Sequence, residues 1–206
     1  MIEDIKTISD EELITLVKSG ERRAFDELVR RYYRHIYRFL VRFTGRKDLS
    51  EDLTQEIFLK VYNSIDMFDE SRRFKPWLFA VAANRARDAL RSIQRASKKV
   101  NFEQQGGQEE NVSLLDILPS EVEAPYAKIE RRETAERVKD SLKELPEQLR
   151  EILILAYYEK MPYKVIAETL DIPLGTVKSR LHKAVVAFGK VWKDNTNECS
   201  KAEQTE

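Results

Sequence analysis

The sequence predicts an all-α chain built as two small helical domains joined by a flexible acidic linker. Three observations lead there. Apolar residues recur at spacings of three and four along most of the chain, the period of a helix with one buried face. No stretch shows the sustained alternation of a half-buried strand. Glycine and proline are absent between Gly20 and Gly45, between Gly45 and Pro76 and between Pro76 and Gly106, and Gly106, Gly107, Pro119 and Pro125 then fall together among polar residues.

The first helix opens on Ser9-Asp10-Glu11-Glu12, a capping box followed by Leu13, Ile14, Leu16 and Val17 and stopped at Gly20. In the second, Phe25, Leu28, Val29, Tyr32, Ile36, Phe39, Leu40 and Phe43 form one stripe, and Arg30, Arg34, Arg38 and Arg42 form a ladder on another face. A third helix covers about 49–64, with Leu53, Ile57 and Val61 inward. A fourth runs from Lys75 or Pro76 to Gln94, with the proline in the first turn, where its missing N–H costs little. Residues 126–145 read as a further helix, and Leu149, Ile152, Leu153, Leu155 and Ala156 mark the next. The resulting division is 1–97, a linker at 98–126, 127–194, and a frayed polar tail at 195–206.

The 206 residues carry 36 Lys and Arg against 36 Asp and Glu, but the charges are segregated. Residues 1–100 hold 21 basic and 16 acidic side chains, 101–133 hold 3 and 8, 134–194 hold 11 and 9, and 195–206 hold 1 and 3. Two basic blocks thus flank an acidic joint, as expected of two anion-binding surfaces tied by a segment they should not bind; chance segregation on solvated faces is the alternative. No apolar run approaches the ~18–20 residues of a membrane span, and no basic-then-apolar leader opens the chain. The one cysteine, Cys199, excludes a disulfide framework and a multi-cysteine zinc site, and two histidines argue against a histidine metal centre. No phosphate-binding glycine loop or dinucleotide fingerprint is present. The expectation is a chain with no catalytic residue, no metal, no cofactor and no membrane insertion.

The sharpest pattern is near the C-terminus. A short helix, Tyr163 to Leu170, offers Val165, Ile166, Ala167 and Leu170 for packing. The turn Asp171-Ile172-Pro173 follows, and then a second helix in which Val177, Leu181, Ala184 and Phe188 face inward. Thr176, Lys178, Ser179, Arg180, His182 and Lys183 remain for a DNA major groove, as in a helix-turn-helix. A plain helical hairpin with a solvated basic face is the bland alternative, and Arg180 suits an internal ion pair equally well. In the N-terminal half, Phe68, Phe74, Trp77 and Phe79 surround a segment carrying Arg72, Arg73 and Lys75, and the next helix carries Asn84, Arg85, Arg87, Arg91 and Arg95. Cations beside aromatic rings can hold an unstacked single strand. Asp52, Gln55 and Glu56 share one helical face, for a partner or for solvent.

Two sets of motifs carry a family resemblance. The first is Asp52-Leu53-Thr54-Gln55-Glu56-Ile57-Phe58, Phe68-Asp69, Phe74-Lys75-Pro76-Trp77-Leu78 and Ala82-Ala83-Asn84-Arg85-Ala86-Arg87-Asp88. The second runs from Leu145-Pro146-Glu147 to Gly175-Thr176-Val177-Lys178-Ser179-Arg180-Leu181. In this order and spacing, over about 22–97 and 127–192, they resemble regions 2 and 4 of bacterial sigma factors of the extracytoplasmic-function (ECF) group.

The resemblance implies a cytoplasmic chain that binds core RNA polymerase and directs it to promoter DNA. Asp52, Gln55 and Glu56 would meet the clamp helices of the largest polymerase subunit, and the C-terminal domain the flap of the second. Arg72, Arg73, Lys75, Asn84, Arg85, Arg87 and Arg91 would meet the melted −10 element. The loop 64–75 would wall the pocket for a flipped base, with Asn84 reading it and Trp77 packed beneath. Thr176, Lys178, Ser179, Arg180, His182 and Lys183 would read the −35 duplex. The acidic linker would pass near the RNA path, and an anti-sigma factor would be a partner. Ala80 stands where the family often has Arg or Lys. The competing reading is a helix-turn-helix regulator that binds an operator without polymerase.

Overall fold

The computed structural model describes residues 5–100, 134 and 137–202, which contain helices and turns and no strand. The N-terminal module holds α1 (Asp10–Lys18), α2 (Arg22–Thr44), α3 (Lys47–Ser64), a 3-10 turn (Ile65–Met67) and α4 (Phe74–Val100). The C-terminal module holds α5 (137–144), α6 (Glu147–Leu153), a wide π turn (Ile154–Tyr158), α7 (Tyr163–Leu170) and α8 (Leu174–Ala202).

The capping box forms as read: the Ser9 N–H donates to Glu12 Oε2 at 2.8 Å, and the Glu12 N–H donates to Ser9 Oγ at 3.2 Å. Helix α1 buries Leu13, Ile14 and Val17 and is followed by Gly20, which takes φ +96°. Helix α2 ends at Gly45 in the left-handed region, φ +76°, where its N–H reaches the Val41 carbonyl at 3.0 Å. Helix α3 begins at Lys47, two residues before the start expected from the sequence. Its N-cap, Arg46, has no side-chain acceptor to announce it. The corner is held instead by the buried Thr44 and Ser50 hydroxyls, 2.9 Å apart, and by the Arg46 N–H on Thr44 Oγ1 at 3.1 Å. Helix α4 starts at Phe74 and continues past Gln94 and the drawn boundary at 97 to Val100.

One apolar core runs through both modules. Leu28, Ile36, Phe39, Leu40 and Phe43 of α2 meet Leu53, Ile57 and Val61 of α3 and Phe74, Leu78, Phe79 and Ala82 of α4. Leu142, Leu145, Ile152, Ile154, Leu155, Ile166 and Val177 continue the same cluster on the C-terminal side. Burial of this stripe, rather than helix propensity, stabilises helices of such length.

The linker call at 98–126, and the part of the expected 126–145 helix before residue 134, lie outside the described residues beyond Val100. Leu155 and Ala156 do not continue an α-helix. The backbone widens over Ile154–Tyr158, and the Glu159 N–H bonds to the Ile154 carbonyl at 3.2 Å. The helix-turn-helix falls where the sequence put it: α7 ends at Leu170, Asp171 takes φ +51°, and α8 begins at Leu174. The tail is not frayed at Asn195 as expected. Helix α8 runs on to Ala202, and Asn195 Nδ2 donates to Glu144 Oε1 at 3.1 Å and to Ser141 Oγ at 3.3 Å.

The modules are docked, α7 against α4, and α6 with the π turn against α2. The buried Arg150 bridges them. It donates to the Phe43 carbonyl of α2 and, within its own module, to the Lys143 and Leu145 carbonyls at 2.6 and 2.9 Å. The Arg42 guanidinium lies 4.0 Å from the Tyr158 ring centre, and His35 Nδ1 lies 3.1 Å from Glu159 Oε2. A Cβ added to Gly45 would fall 2.8 Å from Lys143 Cε, so glycine there serves the docking as well as the turn.

Candidate nucleic-acid interface

Three sites follow from these elements. On α3, the inward turn of Leu53, Ile57 and Phe58 leaves Asp52, Gln55 and Glu56 exposed on the opposite face. Gln55 lies on the rim of an open groove of about 650 Å³ between α2 and α3, lined by Phe25, Val29, Phe58, Leu59 and Tyr62. Leu59 and Tyr62 are 65% and 40% exposed, an apolar surface that nothing within the described residues covers. Glu56 also pairs with Arg85 of α4, so one side chain read as a polymerase contact neutralises another read as a DNA contact.

The second site is the start of α4 and the loop before it. Phe68 is buried, its ring 4.9 Å from that of Trp77 and 6.1 Å from that of Phe74, so this aromatic cluster is core and the wall of the loop rather than free stacking surface. Met67 projects outward, 86% exposed. Arg72 and Arg73 are exposed, and the Lys75 ammonium sits 5.8 Å above the Phe79 ring. Asn84 is exposed and its Oδ1 accepts from the Arg87 guanidinium. Arg91 lies 4.0 Å from Asp88. Arg85, half-buried beside Glu56, and Arg87 are the members of the set least free to meet a strand.

Arg87 is half-buried because it faces the other module. Its Nε lies 3.9 Å from Glu151 Oε1 on α6. Glu151 is 2% exposed, and that oxygen has no hydrogen-bond partner. Burial pushes its carboxyl up to about 7, against the opposing pull of Arg87 and Arg180, with the nearby Glu147 pushing the same way as burial. The sequence reading missed Glu151. Its signal was an acid in the apolar run from Leu149 to Leu155, where a charged side chain must face a buried partner.

The third site is α8. Val177, Leu181 and Ala184 are buried, and Lys178, Ser179, His182 and Lys183 are exposed on the outer face. Thr176 is half-buried in the first turn, and the Ser179 hydroxyl donates to its carbonyl at 3.1 Å. Arg180 is half-buried, and its charge pulls on the Glu151 carboxyl within its own module. The six α8 residues therefore split into four facing outward and two partly inside. Among the described residues no group of three His, Cys, Asp or Glu side chains is placed to hold a metal ion, and no helix is long and apolar enough to cross a membrane.

A helix-turn-helix with an outward polar face, behind a helical bundle with a separate cationic face, defines a DNA-binding protein of transcription. Comparison with known proteins makes the class specific. The Sigma-70 region 2 family matches residues 28–96, and the Sigma-70 region 4 family matches residues 135–188. The RNA polymerase sigma-H factor of Pseudomonas aeruginosa is 33% identical over 183 residues, 88% of this chain and 92% of the relative. The ECF RNA polymerase sigma factor SigW of Bacillus subtilis is 30% identical over 88% of this chain and 95% of its own length. The fold is also that of CnrH in complex with the cytosolic domain of CnrY, with TM-score 0.64, 22% identity and coverage of 90% of this chain and 97% of that one. RpoE of Bartonella quintana, in complex with the anti-sigma factor NepR, gives TM-score 0.63 at 22% identity over 82% of this chain and 96% of that one. The chain belongs to the ECF family of RNA polymerase sigma factors. It directs transcription initiation, which sets aside the reading as an operator-binding regulator that works without polymerase, and its family is not a class of enzymes.

Proposed function

We propose that the two modules divide promoter recognition between them. The N-terminal module docks on the clamp helices of the largest polymerase subunit through Asp52, Gln55 and Glu56, with the apolar groove beside Gln55 completing the surface. Its loop 64–75 and the exposed Arg72, Arg73, Asn84 and Arg91 take the melted −10 strand, and Lys75, Arg85 and Arg87 join when their present partners release them. The C-terminal module meets the flap of the second subunit and lays α8 into the −35 major groove through Lys178, Ser179, His182 and Lys183, with Thr176 at the helix start, where backbone N–H groups favour phosphate. Arg180, half-buried at the edge of that face and in the same module as Glu151, reaches the groove without the modules having to part. The chain works where polymerase works, in the cytoplasm, and an anti-sigma factor of the kind that holds the Bartonella relative is a fitting partner. No residue is assigned a catalytic role.

The observation that carries this reading is the outward polar face of α8 opposite its buried Val177, Leu181 and Ala184. The docked modules belong to the free chain. Arg87 is turned toward Glu151 of the other module, and elements at separate places on DNA require the modules to come apart. The test is transcription by core polymerase with the purified chain on a randomised promoter library. Transcript starts that depend on the chain, with two enriched blocks at fixed spacing, are the expected result. Enrichment of only one block, or none, overturns the division of labour.

A further inference from the structure

Helix α1 lies outside every site assigned above, yet it reaches the loop that walls the −10 pocket. Lys18, the last residue of α1, is half-buried, and its ammonium donates to the Phe68 carbonyl at 2.9 Å and to Glu70 Oε1 at 2.8 Å. The same stretch is fixed from the other side. The Phe68 ring is clamped by Phe74 and Trp77, and the Phe68 N–H bonds to the Ile65 carbonyl at 3.0 Å. Beyond Phe68 the loop is held by its own turn: the Ser71 N–H on Asp69 Oδ1 and the Arg72 N–H on the Asp69 carbonyl, both at 3.0 Å, and the exposed Arg72 Nε 3.7 Å from Asp69 Oδ2. Lys18 is therefore the tie that joins the fixed Phe68 to the outer arm at Glu70, two residues before Arg72.

We infer that Lys18 is a positioning residue for base selection at the melted −10 element. The inference rests on the reading of the loop as the wall of that pocket. The Glu70 arm of this tie contributes little to folding, because Glu70 is half exposed at 52% and exposed ion pairs are weak, while the bond to the part-buried Phe68 carbonyl adds the modest stability of one hydrogen bond. Its effect is geometric. A pocket that discriminates between bases must hold its donors and acceptors within a fraction of an ångström, and a loop arm free to swing presents them to every base alike. Lysine suits the task because one ammonium has three donors and can serve a carbonyl and a carboxylate together. A neutral chain of similar length serves neither.

The experiment uses the full chain assembled with core polymerase, transcribing a library randomised at both promoter elements. Lys18→Met, Lys18→Arg and Glu70→Gln are compared with the parent chain, with Asn84→Ala as a separate probe of the pocket. The expected result for Lys18→Met is a loss of about ten-fold in selectivity at one or two melted positions. Selectivity at the upstream element and binding to core polymerase should stay near the parent values, and the unfolding midpoint should fall by no more than the loss of one part-buried hydrogen bond. Lys18→Arg restores most of the selectivity, and Glu70→Gln gives a partial loss. Parental selectivity for Lys18→Met alongside a lost position for Asn84→Ala overturns the role of Lys18 alone. Parental selectivity for both overturns the reading of the pocket. Equal loss at both elements with a lowered midpoint makes Lys18 a structural residue, and the inference fails.

Discussion

Glu151 of the C-terminal module and Arg87 of the N-terminal module approach to 3.9 Å, and Arg180 acts on the same carboxylate from α8. An arginine from each proposed DNA-binding set thus converges on one buried acid. Of the two, Arg87 reaches across the modules, so DNA and docking compete for its guanidinium and each weakens the other. Among the described residues, this carboxylate couples the two reading surfaces most directly.

The pH dependence of stability should expose Glu151. Its carboxyl is pushed up to about 7 from the ordinary 4.5, chiefly by burial. The folded chain holds this proton more tightly than the unfolded chain. The stabilising contribution is therefore full below about 4.5 and is lost as pH rises through about 7. Between pH ~5 and ~8 the parent chain should lose about 2–3 kcal/mol that Glu151→Gln does not. Urea unfolding of both proteins at the two pH values measures it. Equal losses would show that the carboxylate is already ionised without cost.

Arg150 should be the costliest single residue in the docking. Its guanidinium satisfies carbonyls of Phe43, Lys143 and Leu145, and burial pulls its pKa below the usual arginine range. Replacement by methionine keeps the stem and leaves those carbonyls without a donor, at about 1–3 kcal/mol for each that stays buried and unpaired. Thermal unfolding of Arg150→Met should show a loss on the order of 3 kcal/mol. A loss below about 1 kcal/mol would mean that water replaces the guanidinium.

Much of this was legible locally. Ser9 and Glu12 announce a helix start within four residues, and Asp171-Ile172-Pro173 announces a turn, because capping and left-handed backbone are short-range chemistry. The stripe of α2 names the buried face but not what it meets, so the placement of α6 on α2 and α7 on α4 was invisible. The same limit governs the sites. Lys178, Ser179, His182 and Lys183 face outward as read, since periodicity fixes them against Val177 and Leu181. Arg85 and Arg87 were read as cations for DNA and are engaged, because their acids lie on other helices; Arg180, read as suiting DNA or an internal ion pair equally well, is half-buried with its charge acting on Glu151. Where α8 passes Asn195, that side chain is tied to Ser141 and Glu144, more than 50 residues earlier, a pairing no local pattern announces.

The Glu56–Arg85 pair allows fold and polymerase binding to be separated. Reversing both charges, Glu56→Arg with Arg85→Glu, keeps an ion pair between α3 and α4 and should leave the unfolding midpoint near the parent value. If Glu56 contacts polymerase, affinity for core enzyme should fall by about ten-fold or more, because a like charge now faces the partner. Arg85→Ala alone should leave polymerase affinity in place and reduce promoter opening. A double reversal that binds core polymerase normally removes Glu56 from the docking surface.

On α8, two kinds of contact should separate under salt. Lys183 is exposed and unbranched in chemistry, a point charge suited to phosphate. Lys183→Ala should weaken binding to every −35 sequence alike and lower the slope of log affinity against log salt by about 1. Ser179 differs, because its hydroxyl donates to the Thr176 carbonyl at 3.1 Å, which leaves its oxygen lone pairs to accept from a base. The base it meets should therefore present an amino donor, adenine N6 or cytosine N4, in the major groove. Ser179→Ala should leave the salt slope unchanged and cost about 1–3 kcal/mol of discrimination at that one base pair. The measurement is holoenzyme binding to duplexes carrying each single substitution in the upstream element, at several salt concentrations. A Ser179→Ala variant that loses affinity uniformly, with a reduced slope, would place the serine on the backbone and leave base reading to His182 and Lys178.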